Sequence, residues 1–116
     1  MHASSFSNLK NSPLKLDPAH LTLVQSILQS YVPHSTVCAF GSRVSGTPKP
    51  ASDLDLVIMA SKPLDLKIMD ALQEAFATST LPMKVDIVDW QRISPAFRDI
   101  IERQMVMVWK GGTDVW

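Results

Sequence analysis

The chain has 116 residues, enough for one hydrophobic core and too few for two. With 46% hydrophobic and 19% charged residues it is an ordinary globular chain, not a disordered one, and no run approaches the roughly 18 apolar residues of a membrane-crossing helix. Eleven basic residues balance eleven acidic ones, which leaves no electrostatic footprint for a nucleic-acid partner, so no direct nucleic-acid binding is expected.

Residues 1–16 are polar, lack the apolar segment of a signal peptide, and are read as a flexible N-terminal segment of a cytoplasmic protein. Asp17 followed by Pro18 starts a helix, an N-cap side chain ahead of a proline in the first turn. Leu21, Val24, Ile27, Leu28 and Tyr31 continue it as one apolar stripe, and Pro33 ends it. The run "TVCAF" at 36–40 predicts a strand that Gly41 breaks. Cys38, the lone cysteine, has no intrachain disulfide partner and is read as a small buried hydrophobe.

Gly46, Pro48 and Pro50 make 42–52 a turn or short helical turn followed by a loop. "DLDLVIMA" (53–60) predicts a second strand. An amphipathic helix over 64–79 carries Leu66, Met69, Leu72, Ala75 and Phe76 on one face, and "MKVDIVDW" (83–90) predicts a third strand. Ser94 and Pro95 repeat the cap-plus-proline signal and begin a helix to about Arg103. "MVMVW" (105–109) predicts a fourth strand, and 111–116 is a tail. With no internal repeat, the prediction is a single domain over 17–110. Its fold class is α/β (α+β): a small mixed sheet with helices packed on one face, the other left open for chemistry.

Side chains alternate across a strand. Asp53, Asp55 and Val57 therefore share one face, and Leu54, Leu56 and Ile58 the other. In the third strand the same rule sets Val85, Ile87 and Asp89 against Lys84, Asp86 and Val88. If the aliphatic faces lie together under helices, Asp86 emerges beside Asp53 and Asp55. Three neighbouring carboxylates repel one another, and a divalent cation with a preference for hard oxygen ligands removes that penalty. Asp-x-Asp alone equally fits a cap and a solvated strand end. Just upstream, Gly41 permits close backbone approach, and Ser42 and Arg43 supply donors suited to phosphate oxygens, although in isolation they fit a turn cap and a surface residue.

Gly41-Ser42, ten intervening residues, then Asp53-x-Asp55, with "KVDIVDW" downstream, resembles the signature of the DNA polymerase β-type nucleotidyltransferase superfamily. The spelling is similar to the minimal nucleotidyltransferase branch, and the resemblance spans about residues 20–109. It implies that Gly41 and Ser42, with Arg43 beside them, bind the triphosphate of ATP. It also implies that Asp53, Asp55 and Asp86 are catalytic and hold two Mg2+ ions. Asp89 competes for the third position; strand parity favours Asp86. The implied partner is a HEPN-domain protein, in a hetero-oligomer, whose tyrosine would receive AMP from this antitoxin.

The stretch 90–116, about 27 residues, is too short for an acceptor-binding domain, which also argues for a second chain. The alternatives are transfer to a small-molecule alcohol held by a separate subunit, and a non-catalytic module that masks its partner. Trp90 and Trp109 are read as core or core-edge residues and Trp116 as a contact or disordered. The six methionines read as core filler; His2, His20 and His34 lack metal-ligand spacing, and Lys49 is read as a solvated loop residue.

Overall fold

The computed structural model describes residues 14–111. The elements follow the predicted order: α1 (Pro18–Tyr31), β1 (Thr36–Phe40), a single helical turn α2 (Ser42–Ser45), β2 (Leu54–Met59), α3 (Leu66–Ala77) and β3 (Val85–Asp89). A 3-10 turn (Trp90–Arg92), α4 (Pro95–Glu102) and β4 (Val106–Trp109) complete it. The caps form as their chemistry requires. Asp17 accepts from the Ala19 N–H at 2.8 Å, and Ser94 from the Phe97 N–H at 3.1 Å. Asp65 caps α3 through the Lys67 N–H at 2.8 Å, so that helix starts two residues later than the sequence predicts.

The four-stranded sheet has the order β3-β2-β1-β4. β1 is antiparallel to β2 and β4, and β2 is parallel to β3. One face presents Val37, Ala39, Leu54, Leu56, Ile58 and Val85 to Val24 and Leu28 of α1 and to Leu72 and Phe76 of α3. Leu54, Leu56 and Ile58 are fully buried, each stabilising the fold by about 1.5–3 kcal/mol. That burial locks the register of β2, because a one-residue slip would drive Asp55 into the core.

The opposite face is not bare, which corrects the expectation that the helices cover one side. Cys38, Phe40 and Val57 pack there against Ile101 of α4, with Phe97, Trp90, Ile93 and Met105 around them. β1 is apolar on both sides, so Cys38 and Phe40 need a cover as much as Val37 and Ala39 do. Phe97 and Ile101, four residues apart on α4, provide it. Asp53 stays exposed, and Asp55 and Asp86 half-buried.

Smaller differences have local causes. Tyr31 and Leu66, predicted on buried stripes, are 41% and 63% exposed because they occupy the last and first positions of their helices. Leu14 is buried in the core and the Lys15 N–H donates to the Arg43 carbonyl, so the domain begins before residue 17. Cys38 is buried, which pushes its thiol up to about 11 and leaves it un-ionised. Trp90 and Trp109 pack at the edges of the two clusters. Trp116 and the rest of 112–116 lie outside the described residues, as do residues 1–13. Among the described residues no helix is long and apolar enough to cross a membrane.

Candidate functional site

The site is built where β1, β2 and β3 end their shared row. Alternation along β2 commits Leu54, Leu56 and Ile58 to the α1/α3 side and leaves Asp55 with Val57 on the other. Phe40 of β1 pairs with Asp55, and Asp55 pairs with Asp86 of β3. The row across the sheet therefore reads Phe40, Asp55, Asp86, at the roughly 4.7–4.9 Å spacing of neighbouring strands. Asp53, exposed just ahead of β2, continues the same alternation.

The electrostatics record that crowding. Burial is the first cause that raises the Asp55 carboxyl above its ordinary 3.8, followed by the charges of Asp86 and Asp53. One side of Asp55 is apolar: Phe40 meets Phe97 edge-on, with ring centres 5.8 Å apart. Asp86 has a partial counter-charge in Lys84, whose Nζ lies 3.4 Å from Oδ1.

Among the described residues no three carboxylate, imidazole or thiol groups are gathered in the arrangement of a metal site. The donor set nevertheless suits Mg2+: hard oxygens whose mutual repulsion a divalent cation relieves. Releasing Asp86 from Lys84 is cheap, because both side chains are well exposed and such pairs are worth about 0–1 kcal/mol.

Asp89 has another task. It is 3% exposed and accepts from the Leu64 N–H at 2.7 Å, the Gln91 N–H at 2.9 Å and Arg92 Nη1 at 2.8 Å. Its carboxylate ties the segment before α3 to the 3-10 turn, on the face away from Asp55.

Gly41 adopts φ 82° and ψ −157°, a conformation open to glycine almost alone. A Cβ there would overlap Asp55 Oδ2 and stand 3.2 Å from Asp55 Cγ. The glycine thus lets the carboxylate lie directly over the backbone. Its own N–H is already engaged, donating to Gln104 Oε1 at 2.6 Å. What remains for an anion is the exposed Ser42 hydroxyl and the amides of Ser42 and Arg43, since those of Val44 and Ser45 already donate to the Gly41 carbonyl.

Arg43 departs from the expectation of a phosphate donor, and from that of a solvated surface residue. It is 6% exposed. Its guanidinium donates to the carbonyls of Ser52 (3.0 Å), Lys15 (3.1 Å), Pro50 (3.0 Å) and Lys49 (3.4 Å). The loop between α2 and β2 turns three of these carbonyls inward, the Lys49 one also taking the Ser52 N–H at 2.9 Å, and the fourth belongs to the segment before α1, so the fork of Arg43 is spent on tying the loop to that segment. The prolines at 48 and 50 hinted at such a need. Gln104, 63 residues from Gly41, gave no comparable signal.

A family model described as "Polymerase beta, Nucleotidyltransferase" matches residues 23–111. Over 95 residues the chain is 47% identical to the probable protein adenylyltransferase MntA of Haemophilus influenzae, covering 82% of this chain and 83% of that protein. It is similar to a chain in the crystal structure of a toxin–antitoxin MntA–HpeT mutant, with TM-score 0.64 and 25% identity over 82% of this chain and 73% of that one. A chain in the structure of the tri-AMPylated Shewanella oneidensis HEPN toxin in complex with MNT antitoxin shares the fold, with TM-score 0.61 and 22% identity over 79% and 71%.

Proposed function

This chain belongs to the polymerase β nucleotidyltransferase family, and from that membership we propose that it transfers AMP from ATP to a tyrosine hydroxyl of a HEPN-type toxin, as the antitoxin of the pair. The observation that carries the chemistry is the pairing of Asp55 with Asp86 beside the Gly41-Ser42 turn. AMP and a protein acceptor follow from the likeness to a probable protein adenylyltransferase, and the toxin from the MntA–HpeT and HEPN–MNT structures.

In this reading the Ser42 hydroxyl and the first amides of α2 hold phosphate oxygens, and Asp53, Asp55 and Asp86 hold two Mg2+ ions. Bound there, the ions would offset charge on the attacking and leaving oxygens. Asp86, half-exposed at the sheet edge, takes the proton of the acceptor hydroxyl. The oxygen–Pα bond forms as the bond from Pα to pyrophosphate breaks, and pyrophosphate leaves with its charge. The apolar contact of Phe40 with Phe97 shields one flank of Asp55 from water.

The test is incubation of the purified chain with α-labelled ATP, Mg2+ and a HEPN-type protein from the same genome. Label on that protein, with pyrophosphate released and both lost in Asp53→Asn and Asp55→Asn, is the expected result. No label and no pyrophosphate would refute the transfer. Toxin neutralisation that survives both substitutions would mean masking in place of chemistry.

A further inference from the structure

Gln104 lies in the turn between α4 and β4, where the N–H groups of Gln104 and Met105 both donate to the Ile101 carbonyl. Its side chain crosses to the other end of the site. Oε1 accepts the Gly41 N–H at 2.6 Å and the Ser45 hydroxyl at 3.2 Å. Those two donors settle which end of the carboxamide faces Gly41, and the NH2 end makes no bond within the described residues.

A glutamate in this place would accept both bonds at least as strongly, since a charged acceptor strengthens an N–H···O bond. The uncharged carboxamide stands instead next to a peptide that Asp55 already overhangs. We infer that Gln104 is a positioning residue for the nucleotide: it clamps the Gly41 peptide under Asp55 with a neutral acceptor, so that the phosphate-binding turn is fixed without adding negative charge. The inference rests on the nucleotidyl-transfer reading above. It explains how a glycine, free to adopt many conformations, is held in one, and why the holder is an amide.

The experiment measures binding of an ATP analogue with a non-cleavable β–γ bridge, with Mg2+, by calorimetry on the full chain, alongside melting temperature and transfer kinetics. Gln104→Glu keeps both hydrogen bonds, so it should melt within about 5 °C of wild type. Its analogue affinity should fall roughly tenfold at low ionic strength, a loss that shrinks as salt is added. KM should carry most of the defect and kcat little. Gln104→Ala releases the clamp and should lower kcat without the salt-dependent loss of affinity.

Wild-type affinity in Gln104→Glu at both salt concentrations, a collapse of its melting temperature, or an unchanged kcat in Gln104→Ala would each overturn the inference. If wild type binds the analogue and Ser42→Ala weakens it while Gln104→Glu does not, the clamp alone is wrong. If wild type does not bind the analogue, the nucleotide reading itself falls.

Discussion

Replacing Gly41 by alanine probes the closest approach in the site. The backbone at φ 82°, ψ −157° lies in a region where a side chain costs about 1–3 kcal/mol. For a domain of this size each kcal/mol lowers the melting temperature by about 4–8 °C, so the backbone term predicts a loss of about 4–24 °C. A second cost falls on Asp55. The new methyl would overlap its Oδ2 and press on Cγ at 3.2 Å, so the carboxylate must rotate out of the row that it shares with Asp86. Misplacing a reacting group by about 1 Å costs on the order of a hundredfold in rate. Thermal unfolding followed by single-turnover transfer, well below the lowered melting point, separates the two effects. A Gly41→Ala protein that melts like wild type and transfers within about threefold of its rate would refute the claim that Gly41 makes room for Asp55.

Asp86 and Asp89 should separate cleanly. Asp86→Asn should change stability by no more than about 0.5 kcal/mol and abolish transfer, whereas Asp89→Asn weakens a buried acceptor of three donors and should cost about 2–3 kcal/mol while the folded fraction stays active. Urea unfolding with activity per folded molecule decides, and the reverse pattern would make Asp89 the third acid. Arg43→Lys cannot span four carbonyls and should destabilise by about 2–4 kcal/mol, with faster proteolysis of the 47–53 loop; a protein as protease-resistant as wild type would contradict that role.

Asp55 sets a pH dependence. Its carboxyl titrates higher folded than unfolded, so between the ordinary 3.8 and the raised folded value the native chain binds more protons, and this group's contribution to stability falls as pH rises. Above that window the charged group is a standing liability. In the presence of chelator Asp55→Asn should therefore raise the neutral-pH melting temperature and flatten the profile through the window. A lower melting point than wild type would count against the crowding.

Much of this site was readable locally. Asp17-Pro18 and Ser94-Pro95 start helices because a cap needs only its own next turn. Strand parity separates Asp55 and Asp86 from Asp89 because alternation is a property of the backbone, and the aliphatic runs 54–58 and 85–87 declare which side must be dry. Gly41 stood out as a glycine that permits close approach to its backbone; that the approaching group is the Asp55 carboxylate, and that its N–H is taken by Gln104, was not legible. Arg43 was misjudged because a guanidinium reads as a surface donor until the carbonyls around it are known.

The sequence by itself determined the order of elements, their caps, the face that each strand turns inward and the acids left facing outward. These depend on periodicity and on neighbours within a few residues. Only the tertiary structure decided that α4 covers the second face, that Asp89 is spent inside, that Arg43 braces a loop and that Gln104 reaches Gly41. Each of those depends on what chain closure brings within 3 or 4 Å of a side chain, and hydrogen bonding and desolvation act at that range whatever the separation along the chain.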